Sequence, residues 1–178
     1  MGKIREVLPV KIFCGLLYRE EAVRIRAQRC LEEHWGEVDL EAGPFPFSFT
    51  DYYFQEMGGD LKKYFLGFRD LKSPEDSCLW KLFTNSLEEK FSRDGRRAVN
   101  LDPGYIDSAK VVLFSTKNFY HRIYLGKGIY GEVTLYYSKG EYRCFPWTYP
   151  DYRTPEYINF FTKLRELYHQ QLRALKRS

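Results

Sequence analysis

The sequence predicts an α+β fold: a ferredoxin-like βαββαβ core, an added antiparallel hairpin extension and a C-terminal covering helix. Three observations carry this expectation. Through the first half, strand-like and helix-like patterns follow the order strand, helix, two strands, helix, strand, which is the split βαβ order. Two short glycine joints, Gly126-Lys127-Gly128 and Ser138-Lys139-Gly140, separate three strand-like runs in the second half. The final stretch repeats apolar residues at helical spacing. A different mixed antiparallel α+β arrangement is the alternative.

Taken in order, residues 7–18 read as a strand, mostly apolar, with Pro9 at its entry. Residues 20–35 read as a helix, because Val23, Ala27, Cys30, Leu31 and Trp35 recur at helical spacing and Gly36 follows as a C-cap. Residues 37–49 read as an edge strand, interrupted at Gly43-Pro44 and Pro46. Residues 50–59 fit a loop or one helical turn. Residues 61–71 alternate Tyr64, Leu66 and Phe68 with Phe65, Gly67 and Arg69, which is a strand pattern.

Ser73-Pro74-Glu75-Asp76 opens the second helix with a hydroxyl cap, a proline and acids in the first turn. Leu79, Leu82, Phe83, Leu87 and Phe91 mark its buried stripe, which leaves Lys81, Asn85 and Glu88 on a solvated face. Residues 98–106 read as a strand with a turn at Pro103-Gly104. Residues 107–116 suit either a strand, through Val111, Val112, Leu113 and Phe114, or a helix capped by Asp107 or Ser108. The preferred reading is a short helix running into a loop. Strands follow at 120–125, 130–137 and 141–145. Thr154-Pro155-Glu156 opens the last helix, whose stripe is Tyr157, Phe161, Leu164, Tyr168, Leu172 and Leu175.

A chain of 178 residues suits a single domain, 1–178, with enough material for a core. Hydrophobic residues at 44% with 29% charged exclude disordered and fibrous classes. No apolar run approaches the roughly 18 residues of a membrane span, and no secretion signal is evident, so the expected setting is cytoplasmic. Cys14, Cys30, Cys78 and Cys144 form no C-x-x-C pair, which argues for reduced thiols over zinc or redox chemistry. A net charge of +4 permits anionic ligands without demanding nucleic acid. Fifteen tyrosines suit either a ring-built core or a binding wall.

The stretch from Gly126 to Val133 matches G-x-G-x-x-G-x-V, the kinase glycine-loop pattern, and Lys127 would add charge beside a phosphate. None of the other kinase motifs follows, and G-x-x-x-x-G-K-[ST] is missing, so a plain hairpin is the simpler reading. Strand alternation puts Ile123, Leu125, Val133 and Leu135 on a core face. Arg122, Tyr124, Glu132, Thr134 and Tyr136 fall on a polar one. Lys117, His121 and Arg122 cluster next to that face. Two prolines, Trp147, Tyr149 and Tyr152 make residues 146–153 a stiff aromatic loop, either a pocket wall or a packed connection. The candidate ligand-binding residues are Lys117, Arg122, Lys127, Tyr124, Thr134, Asn100, Asp102, Tyr149, Asp151 and Tyr152. His121 and Glu132 are the candidate acid–base groups. Asp102, Glu132 and Asp151 lie too far apart in sequence to argue for a metal, and no cofactor is expected.

Several runs together resemble one bacterial family. They include Phe49-Thr50-Asp51-Tyr52-Tyr53, Lys81 with Thr84-Asn85 and Leu87-Glu88, Val99-Asn100-Leu101-Asp102-Pro103-Gly104-Tyr105, and Ser115-Thr116-Lys117. Arg122-Ile123-Tyr124-Leu125-Gly126, Glu132-Val133-Thr134-Leu135 and Trp147-Thr148-Tyr149-Pro150-Asp151-Tyr152-Arg153 complete the set. The chain is similar to members of the domain of unknown function 4416 family over nearly its whole length. Some members carry the label GTP-binding, which the missing P-loop residues do not support. Three functions follow as expectations. The first is a binding protein for a phosphate-bearing ligand, a nucleotide or single-stranded RNA. The second is a small enzyme on a phosphorylated metabolite, with Arg122 as anion clamp. The third is an interaction protein with a tyrosine-rich partner surface.

Overall fold

The computed structural model describes residues 2–4 and 6–177. Its spine is β1, Val10–Tyr18, in which every residue is buried. Alternation along this strand sends Ile12, Cys14, Leu16 and Tyr18 into one core cluster and Phe13 into another on the opposite face. On either side of it run β3, Lys62–Lys72, and β4, Val99–Ile106, both antiparallel to it. Beyond β3 lies β2, Val38–Pro46, at one edge of the sheet, where its prolines sacrifice no central ladder bond. Beyond β4 lie β5, Lys110–Ser115, then β7, Ile129–Ser138. Two short strands, β6, Ile123–Gly126, and β8, Glu141–Cys144, both pair with β7.

Among the described residues the result is one eight-stranded antiparallel sheet in the order β2-β3-β1-β4-β5-β7-β6, with β8 also on β7. Two helices cover one face. In α1, Glu21–Trp35, the residues Val23, Ala27, Leu31 and Trp35 point inward four apart, as helical spacing requires. Beside it α3, Ser77–Phe91, adds Trp80, Leu87 and Phe91. On the other face lies α4, Pro155–Leu175, which buries Tyr157, Phe160, Phe161, Leu164, Tyr168 and Leu172. Gly67 on β3 lets it come close: a Cβ there would lie 2.4 Å from Leu164 Cδ1. A single turn, α2, Phe54–Met57, interrupts the connection from β2 to β3. No helix of the described residues is long and apolar enough to cross a membrane, and all four cysteines are free.

Four sequence expectations are corrected. Residues 110–115 are a strand, not a short helix, because four consecutive apolar residues are buried between two covered faces. The sheet is therefore larger than a four-stranded core plus hairpins. Pro103-Gly104 makes no turn but continues inside β4. The inward face of α3 carries Lys81, Thr84 and Glu88 with Trp80 and Leu87, whereas Leu79 and Leu82 are exposed. Finally, β7 pairs Leu135 with Val111 and Val133 with Val112, so Thr134 is an extra residue. That bulge sends Val133 to the α1–α3 core and Leu135 to the α4 core. Ile123 and Leu125, expected inside, are exposed on the edge strand β6.

Candidate functional site

The ladder between β4 and β5 stops at Gly104 and Leu113. Pro103, which has no N–H, stands at the next position. From there β4 continues beside β1 as far as Val99, while β5 stays with β7 as far as Ser115. The two strands part, and a cavity of about 700 Å³ lies in the opening. Its walls come from α3, from β4 and β5, from the segment before α2, and from the connection into α4.

The parting leaves main-chain groups of β4 without a neighbouring strand, and α3 supplies the substitute. Leu101 N–H donates to Glu88 Oε1 at 2.7 Å, and Lys81 Nζ donates to Leu101 O at 2.8 Å. Buried backbone groups must find partners, so two side chains two turns apart on a helix take the place of a strand. Both line the cavity. Burial pushes the Glu88 carboxyl above its usual range, against the pull of Lys81 and of the Leu101 N–H.

The deepest charges sit on the α4 side of the sheet. Lys63 of β3, 2% exposed, reaches across β1 to Asp102 of β4 at 2.8 Å. It crosses at Gly15, where a Cβ would lie 2.8 Å from Lys63 Cε and 3.1 Å from the Phe65 ring. Burial opposes ionisation of Asp102, but Lys63 and Lys81 outweigh it and hold the carboxyl below its usual range. For Lys63 the same opposition is overcome by Asp102 and Asp151, and its pKa is raised. Asp151 lies in a 3₁₀ turn, Asp151–Arg153, that precedes α4. Burial raises its carboxyl despite Lys63.

Nearer the mouth, Arg97 makes a two-pronged bond to Glu56, at 2.8 and 2.6 Å, and donates to Glu88 and to Asn100 Oδ1. Such bidentate pairs fix a side chain geometrically. Asn100 Nδ2 is buried with no hydrogen bond of ordinary length, the Asp102 carboxylate being the acceptor in reach. On the opposite wall Arg122 donates to Glu132, Ser115, the Lys117 carbonyl and Tyr149 Oη. Glu132 accepts from Thr134 at Oε1 and from Arg122 at Oε2, and His121 Nε2 lies 3.1 Å from that same Oε2. Lys117 Nζ donates to Tyr52 Oη at 2.8 Å.

Of the residues singled out in the sequence, Lys117, Arg122, Glu132, Asn100, Asp102, Tyr149, Asp151 and Tyr152 all line this cavity. Thr134 stands one layer behind, bonded to Glu132. His121 stacks on Trp147 with ring centroids 5.4 Å apart. Tyr124 and Lys127 belong to the β6–β7 hairpin and not to the cavity; Tyr124 Oη accepts from Gly128 N–H at the tip. The aromatic loop is both wall and packed connection. Trp147 bonds to Val133 O, Thr148 to Thr134 O, and Arg153 to three loop carbonyls, while Tyr149, Asp151 and Tyr152 face the cavity. Sequence reading missed Lys63, Lys81, Glu88 and Arg97. For Lys81 and Glu88 a signal exists, since Leu79 and Leu82 cannot share a face with Leu87 and Phe91 as well as Trp80 can.

Fold and site together define a mixed α/β protein with a charge-lined cavity opened between two strands of its sheet. The chain belongs to the family described as domain of unknown function (DUF4416), whose model matches residues 8–168. No curated protein and no solved structure matches it.

Proposed function

We propose that this protein binds a small phosphate-bearing ligand of nucleotide size in the cavity between β4 and β5. The observation that carries this reading is Lys117. Five cations line the cavity, and Lys63, Lys81, Arg97 and Arg122 each have a carboxylate partner. Lys117 has none among the described residues; its ammonium sits 4.2 Å from the centre of the exposed Tyr52 ring, with donors to spare for an anion. Tyr52 and Tyr149 at the mouth offer rings on which a base stacks. The volume falls within the roughly 300–1,000 Å³ of small-molecule sites.

A nucleotide is favoured over single-stranded RNA because helices cover both faces of the sheet, and RNA-stacking sheets need an open one. The first four strands, in the order β2-β3-β1-β4 with α1 and α3 on one face, support a ferredoxin-like reading of that half. Four free thiols suit a cytoplasmic setting. An enzyme using Glu132 or His121 is less favoured, since Glu132 is already held by Arg122 and Thr134 and His121 lies outside the wall.

The test is a calorimetric and thermal-shift panel of nucleoside phosphates and inorganic phosphate. Lys117→Ala is expected to weaken binding about tenfold, the loss of one charge-assisted contact, and to leave the melting temperature unchanged. Silence across the whole panel would sink the reading. A partner surface is the second reading, favoured by exposed Phe119, Tyr120, Ile123 and Tyr124 around β6. It predicts that Ile123→Lys alters the solution mass of the purified protein.

A further inference from the structure

We propose that the inner end of the cavity is a diol-binding subsite that reads two adjacent hydroxyls of a sugar whose phosphate lies toward Lys117. The inference rests on the phosphate reading above and names the other half of the ligand. Three groups there have hydrogen-bonding capacity that the protein does not use. Asn100 is 4% exposed; its Oδ1 is taken by Arg97, and its Nδ2 makes no hydrogen bond of ordinary length, its one acceptor in reach being the Asp102 carboxylate, which leaves the second amide proton unused. Asp151 is 7% exposed, and no side chain among the described residues hydrogen-bonds to its carboxylate, which has the N–H groups of its own turn beside it. Asp102 gives Oδ2 to Lys63, while 29% of its side chain stays accessible although it lies deep between the covered faces.

The chemistry of these groups selects the ligand. Two carboxylates around one lysine repel a phosphate, so the anion belongs elsewhere. An ammonium only donates and would leave Asn100 Nδ2 unfilled. A hydroxyl both donates and accepts. Adjacent hydroxyls give two protons to carboxylate oxygens and accept from Asn100 Nδ2 and from the remaining donors of Lys63. The fixed position of each group supports selectivity. Arg97 holds Asn100 through its Oδ1, Lys63 holds Asp102, and Asp151 sits in a turn whose carbonyl accepts from the Thr154 hydroxyl at 2.8 Å.

The experiment is calorimetric titration of the full chain with ribose 5-phosphate, 2-deoxyribose 5-phosphate and inorganic phosphate, repeated with Asp151→Asn and Asn100→Ala. Ribose 5-phosphate is expected to bind roughly tenfold or more tighter than the deoxy sugar, because a site built for a hydroxyl is left unpaired by its absence. Both variants are expected to lose about tenfold toward ribose 5-phosphate and nothing toward inorganic phosphate. Equal binding of the two sugars, or variants that keep the ribose preference, overturns the subsite while leaving the phosphate reading intact. No binding of any of the three, inorganic phosphate included, overturns both. Should a variant fail to fold, the ratio of the two sugars on the unmodified protein still decides.

Discussion

Two lysines lie buried on the same face of the sheet, and they behave differently. Lys11 of β1 is fully buried and has three acceptors: Asp39 at 2.6 Å, the Phe68 carbonyl at 2.8 Å and Gln171 Oε1 at 3.2 Å. Each ammonium proton has a destination, and Lys11 does not line the cavity between β4 and β5. Burial still wins and lowers its pKa, with Asp39 pulling the other way. Lys63 is just as hidden but has one side-chain acceptor, Asp102, and a second carboxylate, Asp151, close enough to raise its pKa against burial. The closed set ties α4 and β2 to the sheet. The incomplete set lines a cavity. Asp39 Oδ1 beside Lys11 is also buried without a partner, so the difference lies in the ammonium itself: Lys63 keeps unused donors beside a cavity, and Lys11 does not.

The sharpest way to break this contrast is Lys11→Met. It strands Asp39 and two further acceptors, and should cost about 3–5 kcal/mol in urea unfolding, the range for breaking a buried pair. Lys63→Met should cost less, about 2 kcal/mol, because water in the cavity can reach Asp102, and it should weaken ribose 5-phosphate binding about tenfold or more. If the two substitutions cost the same, the distinction fails. Gly15→Ala should cost about 1–3 kcal/mol, since the Lys63 end must move and the buried Phe65 ring must give as well, and it should weaken ligand binding as much as Lys63→Met. The smallest effect is Asp151→Asn. Burial gives Asp151 a folded pKa above its unfolded one, so its ionisation drains stability as pH rises from the ordinary carboxylate range through the raised value. The variant should therefore melt higher than the parent near about pH 7 and level with it near about pH 3. Asp102 has the opposite sign: its contribution is present above the ordinary range and is lost as pH falls through its lowered pKa.

The elements with one apolar stripe were legible in the sequence. For α1 and α4, spacing marked the inward face except at Leu175, which is exposed, and β1 and β3 were marked by runs of apolar and aromatic residues. What failed did so for physical reasons. Val111, Val112, Leu113 and Phe114 have no period because both their faces are covered, so strand and helix patterns looked alike. On α3 the lysine and glutamate that clamp Leu101 looked like a wet face, since sequence spacing does not reveal a helix that substitutes for a strand. The Thr134 bulge defeated strict alternation beyond Val133. Of the site, residues 115–122 and 147–153 stood out through clustered charge and rings. Lys63 did not, because its role depends on a glycine some fifty positions earlier that lets it cross a neighbouring strand.

The clamp on Leu101 constrains how this molecule can change over generations. Lys81 and Glu88 hold the sheet's parted edge and also line the chamber, so an alteration that retunes recognition there weakens the scaffold in the same stroke. Lys117, Tyr52 and Tyr149 are exposed and carry no comparable duty. New preferences among ligands are therefore expected to arise at the entrance, while the interior stays fixed.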